Sequence, residues 1–215
     1  MQRDFCLAIR QASDTLMPAV FFLLLVTILS IGTGFSMHEN SISSIGAVWV
    51  VALFATVLGM DSMFRRDHDD GTLDQFLLHA EPLALCVLAR VAAFWSISVL
   101  PVVALSPIAA WMMGLQSGLV QSLLVSLLLG TPVLALLGAI GSALVLEVHR
   151  SAALLALLVL PLFVPVTVLG VSVAASSVVG QPTAPLILWM IVLLLGTMTL
   201  SPFATAAALR ASTEY

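Results

Sequence analysis

Residues 119–146 read LVQSLLVSLLLGTPVLALLGAIGSALVL and contain no Asp, Glu, Lys or Arg. A helix of roughly 20 apolar residues crosses a hydrocarbon core of about 30 Å, and this run is longer than that. Five runs of the same kind accompany it, at 18–37, 44–63, 87–114, 151–175 and 185–208. The chain therefore reads as an all-α integral membrane protein of about six transmembrane helices, with residues 1–215 forming one domain. Hydrophobic residues make up 61% and charged residues 8%, and mean hydropathy is +1.17. Those values exclude an ordinary soluble domain.

All seven basic residues are arginines, and they alternate with the spans. Arg3 and Arg10 precede the first run, Arg65, Arg66 and Arg90 surround the second gap, Arg150 lies in the fourth, and Arg210 ends the last run. The other gaps, Met37–Ser44, Gln116–Ser117 and Ser176–Pro185, hold no basic residue. Such asymmetry orients a membrane protein, so both termini and every Arg are expected in the cytoplasm. The formal charge of -4 does not oppose this, because acidic residues contribute little to topology. A cleaved signal peptide is not expected, since the first run is too long for an h-region and Gly32–Ser36 is no small-residue cleavage site. Cys6 and Cys86 fall on the reducing side, outside any CxxC pattern, and read as small hydrophobes. No Lys exists to complete a Walker A loop, so any ATP-driven role requires a separate ATPase.

Residues 1–17 read as an amphipathic interfacial helix. Phe5, Ile9, Ala12 and Leu16 share one face, and Arg3, Arg10 and Asp14 lie nearly opposite. Pro18 is the expected turn into the first span. Inside the spans, Pro101, Pro107, Pro132, Pro161, Pro165 and Pro202 suggest broken helices. Ser106, Thr131 and Ser201 are placed to satisfy the carbonyls that the following prolines free. Gly130, Gly138, Gly141, Gly170 and Gly196 add to that pattern of broken, small-residue-lined helices, and Gly138, Gly141 and Ser142 would allow close helix approach. Trp49, Trp111 and Trp189 read as interfacial belt anchors, and Trp95 as a packing residue. No charged residue lies deep in a span. That argues against ion-coupled transport and fits a permease energised from outside the membrane.

The polar concentration is Asp61–Pro82. Asp61 and Arg65 form an i,i+4 pair, Gly71 interrupts the helix, and Thr72 with Gln75 forms a capping box that starts another. Leu73, Phe76, Leu77 and Ala80 share a face, while Asp74, Gln75 and His79 face away, and Leu78 breaks the pattern. Residues 64–82 thus read as a cytoplasmic docking segment, with either Phe76 and Leu77 or Leu78 as its plug. Asp67-His68-Asp69-Asp70 has no standard metal spacing, and no metal is expected there.

These residues resemble a known family. Phe64-Arg65 followed by Asp70-Gly71-Thr72-Leu73-Asp74-Gln75 is similar to the coupling region of the cytochrome c maturation permease B family, also called haem exporter protein B. Leu105-Ser106-Pro107, Leu127–Pro132 and Leu200–Arg210 extend the likeness across the chain, while Arg66 stands where the family suggests an acidic residue. The resemblance implies an ABC-2 (type V exporter-like) permease of the bacterial inner membrane. Two copies would sit on the dimeric ABC ATPase of cytochrome c maturation. A tryptophan-rich haem-handling protein, a small single-span protein and, indirectly, a haem chaperone would be the other partners. Phe64, Arg65, Asp67, Asp70–Phe76 and Leu78 would serve ATPase coupling. Haem would be cargo rather than a resident cofactor, ATP would bind the partner, and no nucleic acid is implied. Whether haem passes through this chain, or ATP turnover releases a loaded chaperone, stays open at this level; the alternatives are a scaffold that transmits ATPase motion without a substrate path and an ABC-2 permease for another amphipathic substrate. His38, in Met37-His38-Glu39, is the candidate haem ligand, set against an ordinary solvated loop.

Overall fold

The computed structural model describes residues 2–32, 41–60, 63–64, 83–145 and 151–212. They form α1 (Gln2–Gly32), α2 (Ser41–Met60), α3 (Leu83–Phe94), a π-helical turn (Trp95–Val99), α4 (Leu100–Met112), α5 (Ser117–Leu144), α6 (Ser151–Val179) and α7 (Thr183–Ser212). In lipid a helix satisfies its own backbone polar groups, so uncharged runs rich in Leu, Val and Ala settle into this one form. Five helices are long and apolar enough to cross a membrane: α2, the continuous rod Leu83–Met112, α5, α6 and α7. The remaining apolar stretch, Leu16–Gly32 in α1, lies at the short end of the roughly 17–25 residues that can span.

Two tight reversals make neighbouring helices antiparallel. Gly114 (φ 72°) and Gly180 (φ 70°) adopt the left-handed conformation that costs glycine nothing. After each, an N–H reaches back into the last helical turn: Leu115 to the Ala110 carbonyl at 2.9 Å, and Gln181 to that of Ser176 at 2.9 Å. These are Schellman-type closures that satisfy carbonyls otherwise left bare at a helix end. Ser176 and Thr183 add a 2.7 Å hydroxyl pair across the second reversal. At the same end as the Gly114 turn, Ser30 donates to the Met112 carbonyl at 2.8 Å and Ser44 to that of Met113 at 3.4 Å. Met63, Arg90 and Ser142 mark the opposite end.

α5 is the central helix: 61% of its most apolar stretch is buried, against 17% for α7. Leu123, Leu127, Leu134, Trp49, Phe22, Phe163 and Met190 fill the interior. The outer faces of α1, α6 and α7 carry Leu24, Ile28, Leu157, Val168, Leu188 and Phe203, all exposed. Such surfaces suit a hydrocarbon solvent, where burial of apolar area no longer drives association and packing fit decides which faces meet.

Several expectations are corrected. α1 does not turn at Pro18 but runs unbroken from Gln2 to Gly32. Pro18 is buried on a bare patch of α2, where a Cβ at Gly59 would stand 3.0 Å from its Cγ. Nor do Pro107, Pro132, Pro161, Pro165 and Pro202 break their helices, which continue through them. Each proline removes one N–H donor, and the helix continues through that single loss. The irregular turn lies instead at Trp95–Val99, just before Pro101, where the Leu100 N–H reaches the Trp95 carbonyl. Trp111 (79% exposed) and Trp189 (64%) lie outside as expected, but Trp49 is fully buried. Its indole fills space that glycines vacate, so it is no belt anchor.

Candidate functional site

The interior is built around one indole. Trp49 reaches from α2 between α5 and α6, its ring lying where Gly130 and Gly170 lack a side chain. A Cβ at Gly170 would collide with Trp49 Cζ2 and stand 2.5 Å from Cη2 and 2.6 Å from Cε2. A Cβ at Gly130 would collide with Cη2 on the other side and lie 2.6 Å from Met190 Cε. The indole N–H donates to Ser126 Oγ at 3.0 Å, and Ser126 donates onward to the Leu123 carbonyl at 2.9 Å. A buried indole needs such a partner for its polar edge. Towards the Arg90 end, Gly138 and Gly141 admit the Met60 thioether and the Val159 side chain in the same way.

The polar neighbours of the prolines divide into two kinds. Ser106 does what its position suggests. Pro107 deprives the Val103 carbonyl of its helical donor, and Ser106 Oγ supplies one at 2.7 Å. Thr131 and Ser201 instead tie helices together. Thr131 Oγ1 accepts the Trp95 indole N–H at 3.0 Å, joining the π turn to α5 beside Pro132. Ser201 Oγ donates to the Leu136 carbonyl, joining α7 to α5. Thr205, fully buried in α7, has a hydroxyl with no hydrogen-bond partner.

Of the coupling residues, Phe64 is described, and it is 2% exposed. Its ring belongs to the core, so it offers no free surface and can act only as an anchor. Arg65, Asp67, Asp70, Gly71, Thr72, Leu73, Asp74, Gln75, Phe76 and Leu78 lie outside the described residues, as does His38. The two borders of that segment do meet. Arg90 Nε and Nη2 both donate to the Met63 carbonyl, at 3.2 and 3.1 Å. Met63 and Leu83, either side of the segment, are 3% and 4% exposed. This contact is not legible in the sequence, because it depends on where α3 lies against the end of α2. Trp95 likewise reads along the chain only as packing. An indole five residues from an Arg is the available signal, but its partner Thr131 is distant in the chain.

Among the described side chains, Arg90 and Arg210 are the only charged ones, and both lie towards the end opposite the Gly114 turn. No group of three or more His, Cys, Asp or Glu occurs among the described residues, and Cys86 is a half-buried free thiol. Two grooves lined by described residues indent the outer surface. One, of about 630 Å³, runs between α2 and α6 along Phe54, Pro161 and Val168. The other, of about 370 Å³, lies between α5, α6 and α7 along Ile140, Trp189 and Gly196. Both have almost wholly apolar walls. They can receive acyl chains or helices but offer no converging polar groups for chemistry.

The CcmB protein family model matches residues 1–212. Heme exporter protein B of Pseudomonas aeruginosa is 42% identical over 212 residues, covering 99% of this chain and 95% of that protein. Its namesake in Haemophilus influenzae is 39% identical over 214 residues, covering 100% and 97%. The one in Escherichia coli (strain K12) is 38% identical over 207 residues, covering 96% and 94%. With a bundle of membrane-length helices and a match that leaves out only the last three residues, this chain belongs to the CcmB family.

Proposed function

We propose that this chain is the membrane permease of an ABC-type haem-export system serving c-type cytochrome formation. The observation that carries the reading is identity of 42% to a heme exporter protein B along nearly the whole of both chains. Two copies would sit in the bacterial inner membrane with both termini cytoplasmic, on a dimeric ATPase. A haem-handling membrane protein, a small single-span protein and a haem chaperone would act alongside. ATP would be hydrolysed on the partner, since this chain has no Lys for a phosphate loop. The segment 64–82 would meet the ATPase, Phe64 anchoring it in the bundle and Phe76, Leu77 or Leu78 filling a partner cleft.

One observation favours a variant in which the chain transmits ATPase motion without a haem path of its own. Among the described residues, the centre of the bundle is filled by Trp49, Leu123, Leu127 and Leu134, and the two grooves that described residues line lie on the outer surface. In that variant ATP turnover releases the loaded chaperone from the haem-handling protein.

The test is complementation in a strain lacking its own permease, read by haem staining of c-type cytochromes and by co-isolation of the ATPase. Wild-type protein should restore both. Phe76→Ala, Leu78→Ala and Gly71→Pro should insert normally, and at least one should lose the ATPase, since truncating a buried interface anchor costs on the order of 2 kcal/mol or more. If all three hold the ATPase as tightly as wild type, the coupling assignment fails. If wild-type protein restores no cytochromes beside its cognate partners, the haem-export assignment fails.

A further inference from the structure

We propose that Arg90 is a positioning residue that clasps the two borders of the 65–82 segment and passes its displacement to the centre of α5. The proposal rests on reading that segment as the element that meets the ATPase. It goes further in naming the route by which motion would enter the bundle.

The borders are fixed from both sides. Before the segment, Met63 and Phe64 are buried at 3% and 2% exposure, and after it Leu83 and Val87 at 4% and 0%. Arg90, nearly two turns into α3, sends Nε and Nη2 onto the single Met63 carbonyl at 3.2 and 3.1 Å. Hydrogen bonds from an ionised donor are stronger than neutral ones. Two of them from one rigid, planar guanidinium also fix direction, which a flexible ammonium cannot do. The clasp therefore makes the start of α3 and the end of the α2 region move as one piece.

From Arg90 the connection continues inward. Five residues on, α3 gives way to the π turn at Trp95, a helical irregularity of the kind found at functional positions. The Trp95 indole N–H is bound to Thr131 Oγ1 at 3.0 Å. Thr131 precedes Pro132, where α5 lacks one backbone bond and yields most easily. The chain Met63, Arg90, Trp95, Thr131 is thus contiguous, through one charged clasp, one helical segment and one indole bond.

The complete complex with its ATPase, in lipid nanodiscs, is followed by hydrogen–deuterium exchange with and without a non-hydrolysable ATP analogue. In wild type the nucleotide should change exchange in residues 65–82 and also in Leu83–Val99. With Arg90→Ala the change in 65–82 should persist, while that in Leu83–Val99 should shrink about tenfold or more, because both charged hydrogen bonds to Met63 are lost together. Arg90→Lys, which keeps a charged donor, should restore part of it, whereas Arg90→Met, which fills similar space without a donor, should not. Arg90→Gln, shorter than Arg and uncharged, loses the paired charged donors as Ala does, should behave like Ala and covers the case in which the Ala variant fails to insert. Equal transmission in Arg90→Ala or Arg90→Gln and wild type overturns this inference alone. A wild-type change that stops at residue 82 overturns it too. No wild-type change within 65–82 overturns the coupling reading, and this inference with it.

Discussion

Gly170→Ala adds a single methyl group and tests whether the Trp49 indole is the wedge that sets the spacing of α2, α5 and α6. The new Cβ would collide with Trp49 Cζ2 and stand 2.5 and 2.6 Å from Cη2 and Cε2, where ordinary contact begins at 3.4 Å. The ring has little room to retreat, because the same atoms, Cη2 and Cζ2, already fill the space left by Gly130 and its N–H is held by Ser126 at 3.0 Å. The helices must therefore part by roughly 1 Å, or the indole must give up its bond. Overpacking of this kind costs about 1–3 kcal/mol. For a chain of this size, that corresponds to a fall in Tm of roughly 2–12 °C, at about 2–4 °C per kcal/mol. Thermal unfolding in detergent or nanodiscs, followed by helical circular dichroism, reads it directly. Gly196→Ala is the control, since a Cβ there meets nothing within 4 Å, and it should leave Tm unchanged. Trp49→Phe removes the atoms that clash, so Gly170→Ala should cost far less in that background, with a coupling energy of about 1 kcal/mol or more. If Gly170→Ala leaves Tm within about 1 °C of wild type, or if the two changes simply add, the wedge argument is wrong.

Two further outcomes follow from the interior polar groups. Ser106→Ala should cost about 1–3 kcal/mol by leaving the buried Val103 carbonyl bare, yet be nearly silent beside Pro107→Ala, which restores the helical N–H; equal cost in both backgrounds would show that Ser106 does not serve that carbonyl. Thr205→Val should be neutral or stabilising by about 1 kcal/mol, because it removes a buried hydroxyl without a partner and keeps the side chain's shape; a marked loss of stability would mean that the hydroxyl has a partner in the folded protein.

The proposed site is legible in the sequence to different depths. Phe64-Arg65 and Asp70–Gln75 stand out because a polar, Gly-broken stretch among uncharged runs is compositionally loud, and they carry the family likeness. Arg90 is visible as a charge near the end of a run, but its acceptor is a backbone carbonyl, which leaves no mark in a sequence. Ser106 is readable because it serves its own helix, three residues from Val103. Thr131 and Ser201 occupy the same position before a proline, yet their partners lie on other helices, and local spacing cannot find them.

The sequence by itself determined the class and the rhythm of the chain. Uncharged runs of this length have only a helix available to them in lipid, and seven arginines in or beside alternate gaps set the expectation of which ends share one side. It did not determine which way the helices face. In hydrocarbon, apolar residues gain little by turning inward, so no periodic stripe separates the buried Trp49 from the exposed Trp111 and Trp189. Packing fit makes that separation: an indole finds the bare backbone of Gly130 and Gly170 and a hydroxyl at Ser126, from helices far apart in the chain. The same holds for Pro18, which reads as a turn along the chain and becomes the middle of a helix once Gly59 is there to receive it. Only the tertiary structure decides such contacts, because in a membrane they depend on the shape of a neighbour rather than on the polarity of the residue.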